Sequence, residues 1–191
     1  MKIGLFSGSF DPVHTGHAMM ANYASQCAGV DEVWMMPSRL NPFKAGSTPA
    51  PDGDRLEMCR LAAAPCPRVR VSDFELSLPS PSYTYRTLCE LRKHYPRHQF
   101  VLIIGSDNWP SFGKWKNPQQ IIDEFGLIIY PRPGFDIDKE TLPENVTLLD
   151  QAPMVLMSST FVRQSLREGM DMHYFLPTDV LRYIKERELY G

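Results

Sequence analysis

The sequence predicts an α/β protein built on an open, mainly parallel, doubly wound sheet, with a C-terminal helical region. Two observations carry this expectation. Short apolar runs alternate with segments of helical periodicity, an order that gives parallel strands covered by helices on both faces. A chain of 191 residues, 43% of them hydrophobic, can bury a sizeable core, and one domain over 1–191 is the default.

Strands are expected at Ile3–Ser7, Glu32–Met36, Arg68–Phe74, Phe100–Gly105 and Leu127–Tyr130. Helices are expected at Thr15–Ala28, Asp54–Ala64, Tyr85–His94, Pro118–Glu124, Ser159–Arg167 and Thr178–Glu188, the last carrying Val180, Leu181 and Ile184 at helical spacing. Pro, Gly, Ala and Ser dominate Asn41–Gly53, which reads as a mobile surface loop. In such folds ligands bind at the carboxyl ends of the strands, and the chemically suggestive segments all fall there.

The first segment, Gly8 to His17, reads Gly-Ser-Phe-Asp-Pro-Val-His-Thr-Gly-His and joins a strand to a helix. Gly8 allows a tight turn and close approach to a ligand, Pro12 pre-sets the turn, and Thr15 is expected to cap the helix. His14 and His17 then lie where helix N–H groups and the macrodipole favour anions, so they can hydrogen-bond a phosphate or, if protonated, oppose developing charge.

Four further segments follow strands or open helices. Lys44 ends the proline-stiffened loop Pro37–Lys44 and could reach a phosphate. Thr84 can cap the helix that contains Leu88 and Leu91, whose first N–H groups could receive a carboxylate. Gly105 permits close backbone approach and Asp107 can accept from sugar hydroxyls, with Trp115 downstream. In Ser158–Arg163, hydroxyl residues open a helix while Arg163 sits in its first turn, against the dipole. A bound triphosphate would compensate, held by Ser159, Thr160 and the Arg163 fork. On this reading, removal of Arg163 leaves the fold intact, even slightly more stable.

Composition excludes other classes. Net charge is −2 without a dense Lys/Arg run, so there is no electrostatic footprint for nucleic acid. No apolar run reaches the ~18 residues that span a bilayer, and no signal peptide is evident, so a cytoplasmic protein is expected. Cys27, Cys59, Cys66 and Cys89 have no zinc-site spacing and read as reduced, mostly buried thiols. Oligomeric state is open, a homo-oligomer included.

The Gly8–His17 and Ser158–Arg163 segments together resemble the nucleotidyltransferase superfamily marked by a His-x-x-His turn, with its Rossmann-like fold. Ser82-Tyr83-Thr84 followed by Thr87-Leu88, and Gly105-Ser106-Asp107 followed by Trp115, look like its bacterial nicotinate-nucleotide adenylyltransferases. The resemblance implies transfer of the adenylyl group of ATP to nicotinate mononucleotide, with Mg2+ accompanying ATP and no dedicated protein metal site. It implies catalytic roles for His14, His17, Lys44 and Arg163. It implies ATP contacts at Gly8, Ser9, Phe10, His17, Gly105, Asp107, Ser159, Thr160 and Arg163, and acceptor contacts at Lys44, Thr84, Asp107 and Trp115. Relatives often carry Pro-Pro-His-Lys where this chain has Asn41-Pro42-Phe43-Lys44, so Lys44 carries over and the family histidine at position 43 does not.

Three rival readings are weaker. A phosphopantetheine adenylyltransferase would share the first and last motifs, but not Thr84 and Trp115 in their contexts. An aminoacyl-tRNA synthetase would need a basic surface and a Lys-Met-Ser-Lys-Ser segment. A non-catalytic nucleotide sensor would have no need of His14, His17, Lys44 and Arg163 together.

Overall fold

The computed structural model describes residues 1–39 and 49–191. Within them the chain forms β1 (Lys2–Gly8), α1 (Thr15–Cys27), β2 (Glu32–Pro37), α2 (Asp52–Ala63), β3 (Val69–Val71), α3 (Phe74–Ser77) and α4 (Thr84–His94). After these come β4 (Gln99–Gly105), α5 (Trp109–Phe112), α6 (Pro118–Phe125), β5 (Leu127–Tyr130), β6 (Val146–Leu148), α7 (Ser159–Arg167) and α8 (Thr178–Glu186). The strands make one sheet in the order β3-β2-β1-β4-β5-β6, and every pairing is parallel.

Strand alternation divides the core in two. Phe6, Val101, Ile103, Ile128 and Tyr130 face a cluster completed by residues of α1, α2, α7 and α8. Their neighbours Ile3, Leu5, Leu102, Ile104, Leu127 and Ile129 face the opposite cluster, with Leu88 and Leu91 of α4, Phe112 of α5 and Ile121 and Ile122 of α6. Because both faces are buried, strand segments such as Phe-Val-Leu-Ile-Ile read as continuous apolar runs. The doubly wound sheet is as expected from the sequence.

The differences are local. The segment Arg68–Phe74 extends only over Val69–Val71, because Phe74 opens the one-turn helix α3, which carries the buried Glu75. The edge strand β6 and helix α5 were not anticipated: one is three residues long and the other is a single turn around Pro110, too short for periodicity to register. The expected loop Asn41–Gly53 lies partly outside the described residues, and its last two residues are already in α2. Only Cys59 is fully buried; Cys27 is exposed and Cys66 and Cys89 are intermediate, which corrects the expectation of mostly buried thiols. Among the described residues, no helix is long and apolar enough to cross a membrane.

With this strand order the chain reverses direction of winding between β1 and β4. In such sheets the ligand crevice lies at this switch point, outside the carboxyl ends of β1 and β4, beyond Gly8 and Gly105.

Candidate active site

The first wall of the crevice is the turn from β1 into α1. His14, not the expected Thr15, is the N-cap: its Nδ1 accepts from His17 N–H at 3.3 Å, while His17 Nδ1 accepts from His14 N–H at 3.3 Å. The two imidazoles thereby form a reciprocal capping box, the arrangement usually made by a hydroxyl and a Glu three residues on. Thr15 instead donates its hydroxyl to Tyr174 O at 2.9 Å. The rings stack with centroids 3.7 Å apart and planes 17° apart. A Cβ on Gly16 would lie 3.1 Å from His14 Nδ1, so that glycine leaves the imidazole its seat.

This geometry fixes the protons. An Nδ1 that accepts a hydrogen bond leaves the neutral imidazole's proton on Nε2. His14 is fully buried, and its Nε2 finds no hydrogen-bond partner among the described residues. Burial, then the nearby Arg132 cation, lower its pKa to about 4. His14 is therefore a neutral N–H donor at physiological pH rather than a cation. An orphaned buried donor costs roughly 1–3 kcal/mol, a penalty that an anionic oxygen in the crevice would relieve.

Phe10 adopts a left-handed backbone (φ 45°) and turns its ring into the core, 1% exposed. There it meets Phe6 and His17 edge-on, with centroids at 5.2 and 5.1 Å. Its ring also lies over Gly8, where a Cβ would come within 3.2 Å of it. The side chain thus supports His17 through this edge-on ring contact.

The loop Ser9–Pro12 is held from three sides. Buried Arg55 donates to Ser9 O at 2.6 Å, Arg163 Nη1 to Asp11 O at 2.5 Å, and Ser159 Oγ to Pro12 O at 3.0 Å. Ser158 caps α7 by accepting from Phe161 N–H at 3.2 Å. Arg163 Nη2 reaches Thr160 Oγ1 at 3.4 Å, and Nη1 lies 3.7 Å from Asp11 Oδ2. Asp11, only 6% exposed, therefore supplies an anion to the arginine that stands against the helix dipole. The sequence alone suggested an external triphosphate for all of that compensation; the structure assigns part of it to the protein.

The opposite wall follows β4. Gly105 turns into Ser106 and Asp107, and a Cβ at Gly105 would sit 2.3 Å from Asp107 Oδ1, so glycine lets this carboxylate fold back over the strand end. Arg132 faces it, with Nε 3.9 Å from Asp107 Oδ1. Ser106 Oγ accepts from Arg132 N–H at 2.8 Å, and Arg132 Nη2 donates to Met157 O at 3.1 Å. Sequence reasoning missed Arg132. The signal was Pro131-Arg132-Pro133-Gly134 directly after a buried strand, a cation on a stiffened loop at a carboxyl end.

Glu75 connects the third segment to β1. Its carboxylate accepts from Ser82 Oγ at 2.9 Å and from Ser7 Oγ at 3.4 Å, and burial raises its pKa. Ser82–Thr84 is thereby tied to the end of β1. Thr84 opens α4, but the N-cap is Tyr83 and makes no side-chain cap, which corrects the capping role expected of Thr84. Trp115 is half-buried beside Phe112, centroids 5.2 Å apart. Phe43 and Lys44 lie outside the described residues.

A six-stranded parallel sheet with a histidine-capped helix at its switch point defines a class, and the cytidylyltransferase-like family model matches residues 5–165. The chain belongs to that family, among its nicotinate-nucleotide adenylyltransferases. A Bacteroides thetaiotaomicron protein named probable nicotinate-nucleotide adenylyltransferase is 50% identical over 97% of this chain and 92% of its own length. A Bacteroides fragilis protein of the same name is 49% identical over 96% of this chain and 90% of its own. Among solved structures, a Plasmodium falciparum nicotinic acid mononucleotide adenylyltransferase complexed with NaAD superposes with a TM-score of 0.82 at 21% identity, covering 99% of this chain and 97% of that one.

Two expectations follow from the geometry. His14 has a folded pKa of about 4 against an ordinary 6.5, so in that window the unfolded chain binds the extra proton. Its contribution is complete above pH 6.5 and is lost as pH falls toward 4, on the order of 3 kcal/mol in all. Urea unfolding of wild type and His14→Gln across pH 4–7 should show a shallower pH slope in the variant; parallel slopes would contradict a buried neutral His14. Arg163→Ala should destabilise by roughly 1–3 kcal/mol rather than stabilise, because Asp11 stays buried with less compensation. Chemical denaturation measures this, and an unchanged midpoint would show the pair to be energetically idle.

Proposed function

We propose that this adenylyltransferase works by direct displacement: the 5′-phosphate of nicotinate mononucleotide attacks the α-phosphorus of ATP, giving nicotinate adenine dinucleotide and pyrophosphate. The observation that carries the reading is the histidine capping box at the β1–β4 switch point, where the buried Nε2–H of His14 has no partner among the described residues and a helix N-terminus favours phosphate. The nucleophile is already an anion, so catalysis is alignment and charge stabilisation, and no covalent enzyme intermediate is needed.

In this reading His14 and His17 donate to oxygens of the phosphate at which substitution occurs. Arg163 holds the leaving phosphates beside Thr160, and Lys44 contributes a second cation. Ser159 acts through the loop, since its hydroxyl is engaged by Pro12 O. Asp107 accepts from a ribose hydroxyl, with Arg132 fixing its carboxylate. Magnesium enters as part of the Mg-ATP substrate, where it neutralises phosphate charge and, keeping several of its waters and binding through substrate phosphates, needs few ligands from the protein. Its use of ATP puts the reaction in the cytoplasm.

The acceptor reading rests on the start of α4 and on Trp115. Free N–H groups at a helix start suit a carboxylate, and a half-exposed indole offers a face to a pyridine ring. An amide would set its own N–H donors against those of the helix and leave polar groups unpaired.

His17→Ala should lower turnover by roughly 2.7–4 kcal/mol while ATP binding weakens far less, as expected for donors that act on transition-state charge. Single-turnover kinetics beside ATP-analogue calorimetry separates the two effects, and near-normal turnover in the folded variant would remove His17 from the chemistry. Nicotinate mononucleotide should give a much higher kcat/KM than nicotinamide mononucleotide at saturating Mg-ATP. Equal values would refute the carboxylate site while leaving adenylyl transfer in place.

A further inference from the structure

Beyond α8 the chain folds back so that Tyr190 reaches the loop that carries His14. Its hydroxyl donates to Asp11 Oδ1 at 2.7 Å, and Ala50 N–H donates to the same oxygen at 3.0 Å. The other carboxylate oxygen faces Arg163 Nη1 at 3.7 Å, close enough for charge attraction but beyond a hydrogen bond. Among the described residues Arg163 makes two hydrogen bonds, to Asp11 O and Thr160 Oγ1, although a guanidinium has five N–H donors. Burial and the Asp11 charge push the Tyr190 phenol far up, so it remains a donor at every working pH.

We propose that Tyr190 is a positioning residue for nucleotide binding: by engaging Oδ1 of Asp11 it keeps that carboxylate from closing onto Arg163, and so leaves a guanidinium edge for the leaving phosphates. This rests on the phosphate role given to Arg163 above. Tyr190 and Ala50 share the negative charge of Asp11 on the side away from Arg163. Without the hydroxyl, the carboxylate gains most by drawing the guanidinium into a close two-bond pair at ~2.7–2.9 Å. ATP and pyrophosphate would then compete with Asp11 for the same donors. Chemistry at the α-phosphorus, served by His14 and His17, would be little affected.

A neighbouring pair supplies the control. Tyr183 donates to Asp54 Oδ1 at 2.8 Å, and Arg187 Nε donates to the same atom at 3.2 Å, so α8 is tied to α2 by the same kind of bond away from Asp11. Steady-state kinetics on the full chain, with inorganic pyrophosphate as product inhibitor, tests the proposal. Tyr190→Phe should raise the KM for Mg-ATP and the pyrophosphate inhibition constant about fivefold, with kcat within about twofold and the KM for nicotinate mononucleotide unchanged. Tyr183→Phe should leave all four at wild-type values.

In an Arg163→Ala background, Tyr190→Phe should weaken pyrophosphate no further, since the residue through which it acts is gone. Equal weakening in both backgrounds, an unchanged inhibition constant in Tyr190→Phe alone, or the same loss in Tyr183→Phe would each overturn the positioning role. Should Tyr190→Phe not fold, Asp11→Asn keeps an oxygen for Tyr190 and Ala50 while removing the competing charge. Pyrophosphate should then bind at least as tightly as in wild type, and weaker binding refutes the competition. Pyrophosphate release by the wild-type chain measures adenylyl transfer independently, so failure of the proposed function and failure of this proposal are read from different assays.

Discussion

The reciprocal hydrogen bonds between His14 and His17 are the constraint on which the site depends. A helix start has free N–H groups that must be satisfied, and three-residue spacing is the geometry that satisfies two of them from side chains. Using imidazoles for this task engages both Nδ1 atoms, so that a neutral ring at either position carries its proton on Nε2. The spacing of the motif is thus set by helix geometry as much as by the substrate. Gly16 and Phe10 follow from it, one leaving space for the His14 ring and the other backing His17.

Charge is arranged around that pair so that His14 need not carry any. Burial, and after it Arg132, hold His14 neutral, and two stacked imidazolium rings at 3.7 Å would repel each other strongly. Positive charge resides instead on guanidiniums at the rim, each moderated by a carboxylate: Arg132 by Asp107 and Arg163 by Asp11. A cation balanced at 3.7–3.9 Å rather than locked in a short bidentate pair can still turn toward an incoming phosphate.

The same loop is a meeting point for distant parts of the chain. Carbonyls of Ser9, Asp11 and Pro12 are held by Arg55, Arg163 and Ser159, which come from α2 and α7. Segments about 150 residues apart in sequence therefore share one rigid unit. Side chains such as Ser159 contribute by fixing the loop, a role that a motif read from sequence assigns to the ligand.

Local signals were enough to make most of the fold and the motif positions legible. Apolar runs separated by helical periodicity specify a parallel doubly wound sheet, because both sheet faces must be covered and each strand must return in the same direction. The glycine turn after β1, the Ser158 cap of α7 and the Gly105–Asp107 turn are likewise consequences of nearby residues. Tertiary structure alone decided the rest. Which residue caps α1 depended on an imidazole competing with the adjacent Thr15 hydroxyl, and Thr15 was drawn to the remote Tyr174 carbonyl. The neutrality of His14 came from its burial first and from Arg132 second, and the partner of Arg163 was Asp11, each supplied by a different part of the chain. Sequence periodicity reports how a segment meets the core. It carries no information about which buried charges come to face one another, since those contacts are fixed only when the strand order brings β1, β4 and β5 side by side.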